Sequence, residues 1–345
     1  MSWSELVRQL AEDGRLAPAW VPSFEAVPRH PFVAARCWSQ WGNGTVEELD
    51  REAWPERWEE VVALDVALVL AKDGGSPAPR TVASMLRELD AQPGEKLLEI
   101  GTGSGWSAAL ASHRLGAGNV TTVEVNSLFA ERAALRLKAA GHRPHVVWGD
   151  GALGWEAGAP YQRLLATRAV QRVPYAWVRQ TEGVIVTPWG HGMHNGTLLR
   201  LESDGKTATG KVVAEAPSLW MRRHEPADWP DDEPDRASST STDPRVLTAP
   251  EARFAIGLRV PCRYGTDEHG VHLTDGQSSA SVRYEPEGSV FRVRQGGPRD
   301  LWEEVQAAYH WWTEHGKPGF TRFGATVEDG RQWAWLDDPA HAWPL

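Results

Sequence analysis

The chain has 345 residues, a net charge of −10 and 41% hydrophobic residues, which is enough apolar material for a catalytic domain with an appendage. The negative charge and the lack of a long lysine or arginine run argue against a protein that tracks nucleic-acid phosphates. No window reaches the roughly 18 consecutive apolar residues of a membrane span, and the N-terminus does not resemble a secretory signal. Two cysteines are too few for a disulfide framework or a cysteine metal site. From these observations together we expect a cytoplasmic protein without metal, membrane or nucleic-acid partners.

Apolar residues at helical spacing predict three helices near the N-terminus, at 3–12, about 20–27 and about 47–64. A further helix is predicted at 81–89, behind a proline-rich stretch that suits a helix start. The first 80 residues are therefore expected to form an N-terminal helical cap.

Beyond residue 95 the sequence alternates between short strand-like runs and longer helical stretches. The predicted strands are KLLEI, NVTTVEV, HVVW, YQRLLAT and GVIVTP, and the helices among them are WSAALASHRL and SLFAERAALRLKAAG. Strands that alternate with helices favour a doubly wound parallel sheet, so the fold class is predicted to be α/β. A hairpin that turns at SDGK is predicted to follow, over 197–215.

The composition changes after this hairpin. Residues 228–244 are acidic, rich in proline and serine and poor in apolar side chains, as expected of a linker or loop. Strand-like segments and a helix near 299–314 follow. We therefore predict a catalytic domain at 1–215, capped by 1–80, and a smaller α+β extension at 216–345.

The glycine-rich turn GTGSGW, after the first strand of the parallel sheet, narrows the choice of nucleotide. A dinucleotide-binding turn needs a third glycine that lets helix and strand pack closely, but Trp106 stands at that place. A P-loop is disfavoured because no GKS or GKT follows. Alternating Gly101, Gly103 and Gly105 suit a cofactor without phosphates, whose amino acid and ribose the backbone approaches closely.

Two acidic residues follow the next two strands. Glu124 ends the second strand, 23 residues after Gly101, where a carboxylate can accept both ribose hydroxyls. Asp150 follows the third strand in WGDGALGW and can accept a hydrogen bond from an adenine amino group. The ordered set predicts an S-adenosylmethionine site; the alternative is that both acids are only turn residues at strand ends.

Several longer motifs resemble the protein-L-isoaspartate O-methyltransferases. They are FEAVPRHPFV, LLEIGTGSGWSAAL, VEVN, GDGALGW, APYQRLLAT, VP-x-x-W and GVIVTPWG, spread over roughly residues 15–200. The resemblance implies a Rossmann-like class I methyltransferase domain with an N-terminal helical segment and a smaller α+β C-terminal domain. It also implies a cofactor site at the strand ends, formed by Glu99, Gly101, Thr102, Gly103, Ser104, Gly105, Trp106, Glu124, Val125, Asp150 and Gly151.

The segment expected to face the methyl acceptor departs from the family pattern. That pattern is a Ser-x-Pro preceded by threonine and isoleucine, whereas residues 73–83 here read DGGSPAPRTVA. Gly75 or Pro77 falls opposite the family serine, which leaves Ser76 as a displaced hydroxyl. This departure argues against an ordinary isoaspartyl residue as the acceptor.

The C-terminal extension, which simple repair enzymes lack, carries SLWMRRHE and a WLDDP-x-H-x-W ending. It resembles family members that accompany the maturation of lanthipeptides and graspetides (ATP-grasp peptides). That resemblance implies methylation of an aspartate side chain in a precursor or modified peptide, which 216–345 would help to bind. The ester would cyclise to an aspartimide (succinimide), which persists or opens to isoaspartate.

Methyl transfer to a carboxylate needs hydrogen-bond donors rather than a strong base, because aspartate is ionised above a pKa of about 3.9. Ser76 and Thr167 are the candidate catalytic residues, and Pro77 and Arg222 are further candidates for substrate binding. Each polar candidate has a plain alternative: Ser76 as a turn residue, Thr167 as a strand-end cap and Arg222 as surface charge.

The main hypothesis is thus an S-adenosylmethionine-dependent O-methyltransferase that esterifies an aspartate side chain of a ribosomally made peptide. One alternative is the repair of isoaspartyl damage in general proteins. Others are a non-catalytic partner in a peptide maturation complex and a small-molecule methyltransferase, since a fold alone does not set the acceptor.

Overall fold

The computed structural model describes residues 2–42, 44–71, 74–216, 221, 228–229, 235–285 and 290–345. No helix within these ranges is long and apolar enough to cross a membrane. The α-helices are α1 (Trp3–Glu12), α2 (Val21–Ala26), α3 (Pro55–Val62), α4 (Pro79–Leu89), α5 (Trp106–Leu115), α6 (Ser127–Ala139), α7 (Tyr175–Gln180), α8 (Pro250–Gly257) and α9 (Leu301–Glu314). The strands are β1 (Arg36–Gln40), β2 (Val46–Asp50), β3 (Ala67–Ala71), β4 (Gly74–Ser76), β5 (Leu97–Ile100), β6 (Val120–Glu124), β7 (His145–Trp148), β8 (Tyr161–Ala166), β9 (Thr181–His191), β10 (His194–Asp204), β11 (Ala208–Glu215), β12 (Arg236–Thr240), β13 (Arg263–Thr266), β14 (Gly270–Thr274), β15 (Ser279–Arg283), β16 (Phe291–Gly296), β17 (Phe323–Glu328), β18 (Arg331–Leu336) and β19 (Ala342–Pro344).

The largest sheet contains the predicted doubly wound arrangement. Strands β5 to β9 are parallel and lie in the spatial order β9, β8, β5, β6, β7, so the strand order reverses between β8 and β5. A ligand in such a sheet lies beyond the carboxyl ends of the strands, where the order reverses. The fold class predicted from the sequence is confirmed, and the reversal lies at the strand that carries the glycine turn.

The predicted hairpin continues this sheet in antiparallel fashion. β9 pairs with β10, β10 with β11, and β11 then pairs with β17. The strands β17 to β19 come from the predicted C-terminal extension, yet they complete the catalytic sheet. Ala208 of β11 lies opposite Val327 of β17, and both are fully buried. The segment 216–345 is therefore divided between two sheets.

The other strands of the extension form a five-stranded antiparallel sheet in the order β12, β16, β15, β14, β13. Its inner face is apolar, with Leu273, Val282 and Val293 buried. Helix α9 packs against this face and buries Trp302 and Val305 there. A helix on one face of an antiparallel sheet is an α+β arrangement.

The helix predicted at about 47–64 is wrong in its first half. Residues 46–50 form β2, and α3 begins only at Pro55. Leu49 of β2 lies opposite Cys37 of β1, and both side chains are buried, so the strand places its apolar residue in the core. Proline fits the first helical position because it lacks a backbone N–H, and it fixes where α3 starts.

The strands β1 to β4 form a small antiparallel sheet in the order β2, β1, β3, β4, held by a buried arginine. The guanidinium of Arg29 donates to the backbone carbonyls of Val62 at 2.7 Å, Val66 at 2.9 Å and Leu64 at 3.0 Å. These carbonyls lie at the end of α3 and in the loop to β3, so one side chain satisfies acceptors that the helix leaves open. Burial lowers the pKa of Arg29 to about 9.

Candidate cofactor and acceptor site

The glycine turn joins β5 to α5 where the strand order reverses. Gly101 has a φ of +93°, which glycine adopts without strain, and a β-carbon there would lie 2.6 Å from Thr167 Oγ1. Gly105, with a φ of +89°, is the N-cap of α5. The two glycines therefore let the turn pass close to the end of β8 and lead directly into a helix.

Glu124 lies at the carboxyl end of β6 and is 6% exposed. Its carboxylate accepts hydrogen bonds from the backbone N–H groups of Gly103, at 3.0 Å, and Asn126, at 3.1 Å. The structure thus brings the glycine turn and the second strand end into contact. An ionised carboxylate has about four acceptor positions, so Glu124 keeps capacity for the hydroxyl donors of a ligand.

Asp150 follows β7 at the neighbouring strand end. It caps a short 3-10 turn, because its Oδ1 accepts the backbone N–H two residues further on at 3.0 Å. The carbonyl of Gly151 accepts the indole N–H of Trp177 at 2.7 Å, which ties this turn to α7. Since Glu124 pairs with Trp148 across the parallel strands, both predicted acids lie along one edge of the sheet.

Val125, between these acids, is exposed, and its carbonyl accepts the indole N–H of Trp148 at 3.2 Å. The Trp148 side chain is 70% exposed beside it. The edge near the predicted adenine site therefore carries apolar surface that the sequence analysis did not single out.

Glu99 lies on β5 behind the glycine turn and is almost fully buried. Its carboxylate accepts hydrogen bonds from the hydroxyls of Thr122, at 2.6 Å, and Ser107. Burial raises the pKa of Glu99 to about 7, and the charge of Glu124 acts in the same direction. These bonds connect β5, β6 and α5, so Glu99 supports the turn from behind.

The side chains within the turn have partners in the protein. Thr102 Oγ1 lies 2.7 Å from Thr122 Oγ1, and Ser104 Oγ accepts the backbone N–H of Trp106 at 3.2 Å. The buried ring of Trp106 donates its N–H to the Val27 carbonyl at 2.9 Å and packs edge-to-face against aromatic rings of α1 and α2. The ring fastens the N-terminal helices to α5, and its role towards a cofactor stays a prediction.

A cavity of about 270 Å³ opens between the glycine turn and the small sheet of β1 to β4. The turn from Gly101 to Ser104 forms one wall, and β3 with Ser76 and Pro77 forms another. Thr167, just after β8, lines the same cavity. The predicted acceptor segment and the predicted cofactor turn therefore face one space.

Two hydroxyl groups are predicted to donate to the methyl acceptor, those of Thr167 and Ser76. Their surroundings in the structure differ. Thr167 Oγ1 donates to the carbonyl of Gly101 at 2.8 Å, so its hydrogen is engaged within the protein. Ser76 is 2% exposed on β4, where it pairs with Leu68 of β3. The catalytic roles of both stay predictions, and the third predicted donor, Arg222, lies outside the described residues.

Three polar residues that the sequence analysis missed also line the cavity, namely Arg168, Gln40 and Ser107. Arg168 follows Thr167 at the carboxyl edge of β8, and this place after a parallel strand is the signal that could have found it. Gln40 ends β1 and reaches the cavity only because it pairs with Ala67 of β3. No local sequence pattern indicates that pairing.

Comparison with known proteins identifies the family. The sequence pattern described as Protein-L-isoaspartate(D-aspartate) O-methyltransferase matches residues 43–216, which is half of the chain. The chain belongs to this family. A protein-L-isoaspartate O-methyltransferase from Ignicoccus hospitalis is 38% identical over 189 residues, covering 53% of this chain and 80% of the relative. Another from Thermococcus sibiricus is 32% identical over 193 residues, covering 54% of this chain and 77% of the relative.

Two solved structures share the protein-L-isoaspartate O-methyltransferase fold. One of that name superposes with a TM-score of 0.55 at 18% identity and covers 94% of this chain and 96% of its own. One from Plasmodium falciparum, in complex with S-adenosyl-L-homocysteine, has a TM-score of 0.52 at 12% identity and covers 65% of this chain and 99% of its own. Because the first superposition covers 94% of this chain, it also includes most of the C-terminal extension.

As a member of the protein-L-isoaspartate O-methyltransferase family, the chain uses S-adenosylmethionine as its cofactor, which confirms the sequence prediction. The strand edge fits this molecule: the turn lacks β-carbons at Gly101 and Gly103, and the Glu124 carboxylate lies beside the turn. The turn would hold the methionine end, Glu124 the ribose and Asp150 the adenine. These individual contacts stay predictions.

Proposed function

We propose that the protein methylates a carboxylate of a polypeptide, with an isoaspartyl residue as the acceptor. The observation that carries the proposal is the cavity between the glycine turn and the small N-terminal sheet. Its walls include Arg168 and Ser76 beside Thr167, and guanidinium and hydroxyl groups donate hydrogen bonds to carboxylates. Family membership supports the same acceptor, because the two relatives described above are protein-L-isoaspartate O-methyltransferases by name. The matches cover 77% and 80% of their lengths.

A carboxylate acceptor requires orientation rather than a strong base. An aspartyl or isoaspartyl carboxyl group is ionised above a pKa of about 4, so its oxygen is already nucleophilic near neutral pH. Bound S-adenosylmethionine supplies an electrophilic methyl group, and the product is a methyl ester. Arg168 and Ser76 position the carboxylate, while the apolar wall residues Leu68 and Val82 keep water out of the cavity.

A second candidate acceptor is the aspartate side chain of a ribosomally made, modified peptide of the lanthipeptide or graspetide kind. The altered acceptor segment favours it. The family pattern calls for a serine in this segment, but Gly75 or Pro77 falls opposite that serine here, and Ser76 lies on a strand paired with β3. The next backbone amide nitrogen would attack the ester carbonyl and displace methanol, which closes an aspartimide ring. In this case 216–345 would help to bind the peptide.

Mass spectrometry on matched peptides separates the two candidates. The protein is incubated with S-adenosylmethionine and, in turn, an isoaspartyl peptide, its aspartyl isomer, and a ring-containing ribosomal peptide with its linear form. A gain of one methyl group on the isoaspartyl peptide alone supports the first candidate. Methylation of the modified peptide, followed by a net loss of water from the starting mass, supports the second. No methylation of any peptide contradicts both.

A conservative change at Glu124 tests the cofactor site independently of the acceptor. Glu124→Gln keeps the size of the side chain but removes the charge that strengthens its hydrogen bonds, so we expect the Kd for S-adenosylmethionine to rise about 10-fold or more. Isothermal titration calorimetry measures this change. Glu131→Gln, at an exposed position on α6, is the matched control and should leave the Kd unchanged. An unchanged Kd for Glu124→Gln would contradict the ribose assignment.

A further inference from the structure

The five-stranded sheet of β12 to β16 has two unlike faces. The inner face is apolar and lies against α9. The outer face lines a groove of about 720 Å³ and is defined here by His272, Ser281, Arg283, Arg292 and Arg294. Side chains alternate between the faces of a strand, and the residues between these five are buried. The sheet therefore presents a polar surface opposite its core.

The residues of the outer face form rows across the strands. Ser281 pairs with His272 on one side and with Arg294 on the other. Arg283 and Arg292 lie one side-chain repeat further along the same two strands, a step of about 7 Å. Arginines on this face are thus spaced like alternate side chains of an extended polypeptide.

The outer face is positively charged although the whole chain has a net charge of −10. Arg283 and Arg294 are exposed, and neither makes a hydrogen bond or ion pair with another described residue. Arg292 lies 3.7 Å from Glu285, which offsets its charge in part. The positive charges of Arg283 and Arg294 are therefore not paired with an acidic group in the described part of the chain.

Trp229 closes one end of the groove. Its ring stands edge-on to that of His272 at a centroid distance of 6.4 Å, and the Arg263 guanidinium lies 5.2 Å from its centre. Gly265 makes room for the ring, because a β-carbon there would lie 2.8 Å from it. His272 is fixed in turn by Asp267, 3.0 Å away. An aromatic ring beside arginines is a combination enriched at protein-binding surfaces.

We propose that this outer face docks an extended, acidic segment of the polypeptide that the protein methylates, apart from the methyl-accepting residue. The proposal rests on the proposed function only in taking the substrate to be a polypeptide. Arg283 and Arg294 lie on a diagonal between β15 and β16, where side chains are about 7–8 Å apart. Alternate side chains of an extended segment have a similar spacing of about 7 Å, so each arginine pairs with one carboxylate of the docked segment. A nucleic acid is the less suitable occupant, because its phosphate backbone needs a longer basic track than two free arginines in an acidic chain.

Fluorescence anisotropy with the full chain tests the docking. The probes are a labelled peptide of aspartate, glutamate, serine and glycine, and the same peptide with asparagine and glutamine in place of the acids. We expect the acidic peptide to bind at least about ten-fold more tightly, with an affinity that falls as salt is added. The double variant Arg283→Gln/Arg294→Gln should lose this preference. Arg15→Gln/Arg143→Gln, which removes two exposed arginines elsewhere, should keep it.

Equal binding of the two peptides, or an unchanged preference in Arg283→Gln/Arg294→Gln, would overturn the proposal. Tighter binding of a labelled single-stranded oligonucleotide than of the acidic peptide would overturn it as well. These measurements need no S-adenosylmethionine, so their failure is distinguishable from a failure of the proposed function.

Steady-state methylation gives a second readout. For a peptide that carries both an acceptor and an acidic segment, Arg283→Gln/Arg294→Gln should raise KM about ten-fold and leave kcat unchanged. A short acceptor peptide without the acidic segment should be methylated equally by both proteins. The same KM for the longer peptide in both proteins would overturn the docking role.

Discussion

The glycine turn after β5 and the small sheet of β1 to β4 face each other across one cavity, but different contacts hold them in place. The turn is fixed along neighbouring parallel strand ends, as by the bond from the Gly103 N–H to Glu124. The small sheet depends on Arg29, whose guanidinium reaches three backbone carbonyls 33 to 37 residues further along the chain. The cofactor side is therefore fixed by contacts between neighbouring strand ends, whereas the acceptor side depends on one buried side chain that reaches the end of α3 and the loop to β3.

This difference suggests that the two sides fail in different ways. A change in the turn should act first on cofactor binding, because the strands beneath it are held by their own ladder. A change at Arg29 should act first on folding and on the shape of the acceptor wall. Variants on the two sides can test this separation.

Arg29→Met should have the largest effect on stability, because it leaves three backbone carbonyls, two of them in buried contacts, without their donor. We expect a loss of about 3–5 kcal/mol in the free energy of unfolding, measured by urea denaturation. Arg15→Met, at an exposed position, should cost less than about 0.5 kcal/mol. A loss below about 1 kcal/mol for Arg29→Met would show that the acceptor side does not depend on this contact.

Gly101→Ala should come next and should act mainly on the cofactor. The new β-carbon would lie 2.6 Å from Thr167 Oγ1 on a backbone with a φ of +93°, so we expect a stability loss of about 2 kcal/mol. Cofactor affinity, measured by calorimetry, should fall further, by about 100-fold. Gly118→Ala is the control, because open space surrounds that glycine and its φ is not positive. Normal cofactor binding by Gly101→Ala would argue against the turn as the binding element.

Glu99→Gln, behind the glycine turn, should change the pH dependence of the free energy of unfolding. Folded Glu99 titrates near 7 against an ordinary value of 4.5, so the folded state holds the proton more tightly and stability falls as pH rises between these values. We expect the wild-type protein to lose about 2 kcal/mol more than Glu99→Gln between pH 5 and 7.5. Urea denaturation at both pH values measures this, and equal losses would show that Glu99 is not the titrating group.

Ser76→Ala and Thr167→Val should have the smallest effects and should fall on different sides of the comparison. Ser76→Ala should lower kcat/KM for the peptide by about 5- to 10-fold and leave the cofactor Kd unchanged. Thr167→Val removes the bond to the Gly101 carbonyl, so it should raise the cofactor Kd several-fold. If Ser76→Ala raised the cofactor Kd as much as Thr167→Val does, the assignment of Ser76 to the acceptor side would be contradicted.

The parallel half of the fold could be predicted because each of its elements is bounded by local signals. Apolar runs give the strands, the glycine turn follows β5, and Glu124 and Asp150 follow the next two strands. The boundary of α3 was missed, because VEELD at 46–50 carries charges that suit a helix as well as an edge strand. Its pairing with β1 decides for the strand.

Long-range pairing explains the other differences. No local pattern indicates that Val327 lies opposite Ala208, so the sequence analysis assigned β17 to β19 to a separate domain. Gln40 reaches the cavity through β3 for the same reason. The packing of the Trp106 ring against α1 and α2 could not be predicted either, because it depends on helices about 80 to 100 residues away in sequence.

The measurement that tests the central claim most directly determines which kind of bond joins the transferred methyl group to the peptide. The protein is given S-adenosylmethionine labelled in the methyl group together with an isoaspartyl peptide, and the peptide is isolated and treated with alkali. We expect label on the peptide that alkali releases as methanol, because a carboxyl methyl ester hydrolyses readily. Label that survives alkali, or a peptide without label, would contradict a carboxyl O-methyltransferase.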